Sequence, residues 1–129
     1  MKKVLVSLFA VTLICVLAPT AHAAGWIFLG MAHVDGQHDH DNIEVGAVAG
    51  RYHFLQLRVV NAPIEFDHIV VHYGDGEPQT LEVRDVIRAG QRSRAIPLDG
   101  ERIVKSLELW YSKANPNSAK PEVRLWGQR

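Results

Sequence analysis

The stretch RIVKSLELWYS, residues 102–112, decides the fold of this chain because its apolar residues recur at every second position. In an extended strand, side chains two positions apart lie on the same side of a sheet. This alternation places the odd-numbered apolar residues, from Ile103 to Tyr111, on one face, which we expect to lie in the core. The even-numbered residues, from Val104 to Trp110, then point to the opposite, outer face.

The same pattern continues along the rest of the chain after residue 24. Short apolar runs alternate and are separated by Gly, Pro, Asn and Asp, the residues of turns. We therefore expect an all-β fold, an antiparallel β-sandwich of about eight strands, with jelly-roll-like and immunoglobulin-like topologies both open. Pro97 should place its strand at a sheet edge, and one helical turn is expected over 85–92. The strands are predicted near residues 25–33, 42–48, 51–60, 65–73, 79–84, 92–98, 102–112 and 121–127.

Residues 1–23 have the composition of a secretion signal. Two lysines precede an apolar stretch from Val4 to Leu17, and a small-x-small motif ends at Ala23. This pattern predicts cleavage after residue 23 and release of the mature protein without a membrane anchor. We expect residues 24–129 to form a single domain in the periplasm or outside the cell.

Composition and charge restrict the partners of this domain. The only cysteine, Cys15, lies in the predicted signal, so the mature domain must be stable without disulfides. The loss of Lys2 and Lys3 changes a balanced chain into a domain with a net charge of about −2. Since no basic excess remains, nucleic acid is not an expected partner. An envelope protein or a glycan suits an exported domain better.

Catalytic motifs are scarce in residues 24–129. This part of the chain has no cysteine and no Gly-x-Ser-x-Gly elbow, so nucleophilic catalysis has little support. A carboxylate pair for glycoside hydrolysis stays open because the chain has 14 acidic residues. The sequence favours a binding domain with no chemistry of its own over an enzyme. Four arginines that resemble an anion site are expected to form scattered ion pairs: Arg84, Arg88, Arg92 and Arg94.

The segment 33–41 gathers histidines and aspartates and is the main candidate for a metal site. On an extended backbone, His38 and His40 would project from the same side and could both reach one divalent ion. Zinc or copper would suit the imidazoles, and calcium would prefer the aspartates. The alternative function is therefore a divalent-metal-binding protein or a metal-dependent hydrolase that uses His38, Asp39, His40 and Asp41. A solvated hairpin loop would have the same composition.

Four aromatic residues are predicted on outer faces: Tyr52, Phe54, Trp110 and Trp126. Together they could form a flat apolar platform that stacks on sugar rings or on a partner protein. Alternatively, Trp110 and Trp126 could pack as a cross-strand pair under a loop or a terminus.

A series of short motifs runs along the chain in a defined order. The series comprises Trp26 to Gly30, Asp39-x-Asp41-x-Ile43, Gly50-Arg51, Leu57 to Val59, Tyr73 to Gly76, Leu81-x-Val83-Arg84, Ile87-x-x-Gly90 and Tyr111. This series resembles a family of small exported bacterial proteins of unknown function. The resemblance implies an exported all-β domain and no catalytic assignment. It also gives weight to four polar positions: Asp39, Asp41, Arg51 and Arg84.

Overall fold

The structure, a computed structural model, describes residues 25–34, 40–45, 50–114 and 120–129. The predicted signal peptide and two predicted metal ligands, His38 and Asp39, lie outside these residues. In the described ranges, no helix has the length and hydropathy needed to cross a membrane. The strands are β1 (Ile27–His33), β2 (His40–Glu44), β3 (Tyr52–Val60), β4 (Ile64–Tyr73), β5 (Gln79–Ile87), β6 (Ile96–Arg102), β7 (Val104–Ala114) and β8 (Glu122–Gln128).

The eight strands form two antiparallel sheets, as the alternation predicted. Sheet A has the order β1-β8-β3-β6, and sheet B has the order β2-β7-β4-β5. The pairs β1·β8, β2·β7, β3·β6 and β4·β5 make the chain a long antiparallel ribbon that doubles back between β4 and β5. Additional pairing of β3 with β8 and of β4 with β7 joins the rolled ribbon into two sheets. This strand order is that of a jelly roll.

The inner faces of the two sheets form the hydrophobic core. Leu57, Val71 and Leu109 lie on central strands and are completely buried. Truncating one of them to alanine would cost about 2–5 kcal/mol through lost burial and a residual cavity. Pro97 lies on β6, which is an edge strand of sheet A, so the expected edge position is confirmed.

The segment from residue 79 to residue 92 has a secondary structure that differs from the prediction. β5 continues to Ile87, so the helical turn expected over 85–92 is wrong. The chain reverses instead in a turn that the Gln91 N–H closes on the Arg88 carbonyl oxygen at 2.9 Å. Gly90 takes a φ of 84° in this turn, a conformation that glycine adopts without steric cost.

Three side chains lie on the face opposite to the predicted one: Ile103, Val104 and Tyr52. Between His72 and Tyr73 the register of β4 with β7 shifts, and Val104 is then 5% exposed while Ile103 is 36% exposed. Near the start of β3 the register with β6 also shifts, and Tyr52 lies in the core with 1% exposure. A bulge adds one residue to a strand and so reverses the face of the residues beyond it.

The two sheets approach each other closely at Gly30. A Cβ atom at this position of β1 would lie 2.7 Å from the backbone oxygen of Glu44 and 2.9 Å from Cγ2 of Ile43, both on β2. Glycine therefore allows the edge of sheet A to contact the edge of sheet B at this point.

Candidate functional site

The predicted metal ligands in β2 lie on opposite faces of the strand. His40 is exposed, and its ring stacks on Trp110 with a centroid separation of 4.3 Å. Asp41 points to the side of Ile43 and accepts a hydrogen bond from the Tyr111 hydroxyl at 3.0 Å. These two residues therefore cannot share one ion. Within the described ranges, no group of three or more His, Cys, Asp or Glu residues could hold a metal.

The four predicted platform residues occupy three separate places. The ring of Tyr52 lies in the core, Phe54 and Trp126 lie on the outer face of sheet A, and Trp110 lies on the outer face of sheet B. The four side chains therefore form no common platform. Trp110 and Trp126 are not a cross-strand pair because they belong to different sheets.

On sheet B, Trp110 is enclosed by two imidazoles. His40 on β2 stacks on the indole at 4.3 Å and 15°, and His68 on β4 stacks on it at 5.5 Å and 10°. Since β7 lies between β2 and β4, the two rings cover opposite faces of Trp110. A sugar ring therefore has no free indole face on which to stack.

Glu108 links this stack to a further histidine. The Trp110 Nε1–H donates to one carboxylate oxygen at 3.0 Å, and His72 Nε2 donates to the other at 2.5 Å. The hydrogen bonds from His72 and Trp110 hold the pKa of Glu108 below its ordinary value. The carboxylate is thus satisfied within the protein.

The outer face of sheet A carries a row of three arginines. Arg58 on β3 is directly opposite Arg124 on β8. On the other side of β3, the backbone of Arg58 pairs with the backbone of Arg92 in an isolated antiparallel β-bridge. Neighbouring backbones in a sheet are about 4.8 Å apart. Like charges on directly opposed positions destabilise a sheet. We call Arg124, Arg58 and Arg92 the arginine row.

Two members of the row are held through their Nε atoms. The Arg58 guanidinium lies 4.1 Å from the centroid of Trp126, and its Nε donates to the Gln56 side chain at 3.0 Å. Arg124 Nε donates to the Glu122 carboxylate at 2.5 Å. The Nη groups at the ends of both guanidiniums make no hydrogen bond to other described residues. The row therefore presents fixed donors that are free at their tips.

A short segment after the turn positions Arg92, the third member. The Ser93 N–H donates to the Leu57 carbonyl oxygen at 2.7 Å, and the Leu57 N–H donates to the Ser93 hydroxyl oxygen at 3.0 Å. The next residue, Arg94, donates from its guanidinium to two backbone carbonyl oxygens of β5, at 3.1 and 2.8 Å. The backbone of Arg92 is therefore tied through its neighbours to both sheets.

The arginine row and Trp126 line an open cleft with a volume of ≈ 410 Å³. We call it the arginine cleft. Among the residues that the structure describes, no acidic residue lines it; its other lining residues are Val59, Val60, Gly90 and Gln91. Partial burial and the positive charge of Arg92 both lower the pKa of Arg58. Arg58 stays protonated, as arginines in proteins do, so it keeps its positive charge beside Arg92.

Of the four arginines considered in the sequence, only Arg92 belongs to this cleft. Arg84 pairs with Glu82, as expected for a scattered ion pair, and Arg94 binds backbone oxygens. Sequence reasoning missed the arginine row as a unit. A signal was present, since Leu57-Arg58-Val59 and Val123-Arg124-Leu125 each place an arginine between two buried residues.

Three of the polar positions that the resemblance emphasised make contacts within the fold. Asp41 accepts from Tyr111, Arg51 pairs with Asp75 at 3.3 Å, and Arg84 pairs with Glu82. Arg84 also has a φ of 43°, in the left-handed region, at a register shift of β5 against β4. These contacts give the three positions structural roles.

Comparison with known proteins identifies the family. A family described as a domain of unknown function (DUF2541) matches residues 6–127, which is most of the chain. No curated protein and no solved structure matches. The resemblance noted in the sequence is therefore confirmed as far as a domain of unknown function. This chain belongs to the DUF2541 family.

Proposed function

We propose that this protein is an exported binding domain with no chemistry of its own, and that the arginine cleft is its binding site for an anionic ligand. One observation carries the proposal: three arginines occupy adjacent positions on one sheet face, around a cleft that has no acidic residue among its described lining residues. The domain would act in the periplasm or outside the cell.

The electrostatic repulsion within the arginine row supports a binding role. Opposed like charges work against folding, and natural proteins keep such conflicts mainly at functional sites. An anion between the guanidiniums would turn repulsion into charge-assisted hydrogen bonds. The mature domain has a net charge of about −2, so any attraction of anions has to come from a local group of positive charges such as the arginine row.

Nuclear magnetic resonance can locate this binding. We expect sodium sulfate, titrated at constant ionic strength, to shift the backbone amides of Gly90 and Gln91 and the indole N–H of Trp126. Arg92→Gln should abolish these shifts, whereas Arg88→Gln, which removes the same charge outside the cleft lining, should retain them. Shifts confined to Trp110 on sheet B, or no shifts, would contradict the proposed site.

Export has a separate test. The predicted cleavage motif ending at Ala23 should place the mature N-terminus at or within one or two residues of Ala24. Intact-mass measurement of protein recovered from the cell envelope and from the medium would identify this N-terminus. A chain that retains residues 1–23, or a lipid mass on Cys15, would contradict release as a soluble domain.

A further inference from the structure

We infer that the ligand of the arginine cleft carries at least two neighbouring phosphate groups, as in a diphosphate. This inference rests on the proposed function and specifies its ligand. It follows from the spacing of the arginine row, from the donors left free and from the charge that has to be balanced.

The arginine row is wider than one anionic group. Arg124, Arg58 and Arg92 stand on three successive backbones, so their Cα atoms extend over about 10 Å, twice the spacing of neighbouring strands. One tetrahedral oxyanion can bridge two adjacent guanidiniums. The third arginine then faces a second anionic group attached to the first.

The free donors favour phosphate over carboxylate. Gln56 and Glu122 already occupy the Nε atoms of Arg58 and Arg124, which leaves the Nη groups for a ligand. A carboxylate uses both of its oxygens on one guanidinium fork. A phosphate group has three acceptor oxygens and retains at least one for the neighbouring arginine.

The charge of the cleft indicates a ligand with more than one negative charge. Glu122 pairs with Arg124 and offsets one of the three positive charges. In the described part of the chain, no carboxylate forms an ion pair with Arg58 or Arg92. A ligand with two or more negative charges would balance these two arginines, and a diphosphate group meets this requirement.

Calorimetry with a series of phosphates tests the inference. Inorganic phosphate, pyrophosphate and tripolyphosphate would be titrated into the mature protein at constant ionic strength, because salt screens exposed charges. We expect affinity to rise by about tenfold or more from phosphate to pyrophosphate, which corresponds to about 1.4 kcal/mol. Citrate, which carries several carboxylates, should bind more weakly than pyrophosphate.

Matched variants show whether the cleft provides this affinity. Arg92→Gln should weaken pyrophosphate binding by about tenfold, whereas Arg88→Gln should leave it unchanged. Circular dichroism would confirm that both variants are folded. Equal losses in the two variants would overturn the assignment to the cleft.

A separate titration with ADP tests whether the diphosphate is a free anion or part of an organic molecule. Tighter binding of ADP than of pyrophosphate would identify an organic diphosphate, and equal or weaker binding would identify the free anion; either supports the inference. If phosphate binds in the cleft and pyrophosphate is no tighter, the inference is wrong and the proposed function stands. If neither sulfate nor any phosphate perturbs the cleft, both are wrong.

Discussion

Replacing Ser93 with alanine should destabilise the protein and loosen the arginine cleft. The Ser93 hydroxyl is buried, accepts the Leu57 N–H at 3.0 Å and donates to the Arg94 carbonyl oxygen at 2.7 Å. Alanine removes both hydrogen bonds and leaves the Leu57 N–H inside the protein without this acceptor. The segment that carries Arg92 then keeps its backbone bonds to β3, the bond from the Gln56 side chain to the Ser93 carbonyl oxygen and the bonds from Arg94 to β5.

The expected loss of stability follows from the buried Leu57 N–H, which the substitution leaves without its acceptor. An unpaired buried N–H costs about 1–3 kcal/mol. For a domain of this size, each kcal/mol lowers the melting temperature by about 4–8 °C. Urea unfolding followed by circular dichroism would measure the change in the free energy of unfolding.

A second serine provides the control. Ser106 lies on the outer face of β7, and its hydroxyl makes no hydrogen bond to other described residues; Ser106→Ala should change stability by no more than about 0.5 kcal/mol. Ser93→Ala should also weaken pyrophosphate binding, because the backbone next to Arg92 loses one of the bonds that hold it on β3. If Ser93→Ala were as stable as Ser106→Ala, the assignment of Ser93 as the anchor of this segment would be refuted.

Three other changes test the fold and the remaining metal hypothesis. Gly30→Ala should cost about 1–3 kcal/mol by overpacking against the backbone of β2, while Gly25→Ala, whose Cβ meets only a flexible glutamine side chain, should cost much less in the same urea assay. Because the pKa of Glu108 is lowered in the folded state, its contribution is present above the ordinary value of 4.5 and is lost as the pH falls through the lowered value. Glu108→Gln should therefore reduce the free energy of unfolding by about 1 kcal/mol near neutral pH, and a difference that persists in strong acid would contradict this. Zinc or copper at His38 and His40 stays a prediction: calorimetry should detect binding that weakens in acid and that His38→Ala/His40→Ala abolishes, and equal binding by the double variant would place the metal elsewhere.

Alternation of apolar residues predicted eight strands because each strand buries one face, although β6 spans Ile96–Arg102 and not the expected 92–98. The missing N–H of Pro97 predicted its position on an edge strand correctly. The assignment of faces from alternation failed where a register shift intervenes: Tyr52 is buried, and Val104 points into the core where Ile103 was expected. A bulge depends on how two strands pair, and residues distant in the sequence determine that pairing.

The arginine cleft could be predicted only in part. Alternation already places Arg58 and Arg124 outward, beside Trp126. Their position next to Arg92 depends on the pairing of β8 with β3 and on the segment after the turn at Gly90, which pairs with β3. This arrangement is set by the tertiary fold, so local composition and spacing do not reveal it.

The guanidinium of Arg94 restricts how β5 can pair with a strand from another chain. β5 is an edge strand of sheet B, and unpaired carbonyl groups on an edge are a template for adding a strand from another chain. Arg94 occupies the successive carbonyl oxygens of Glu82 and Val83, beside the bulge at Arg84. An approaching chain would have to displace a charged donor and pair across a bend. The residue that helps to fix the cleft therefore also protects the domain against edge-to-edge aggregation.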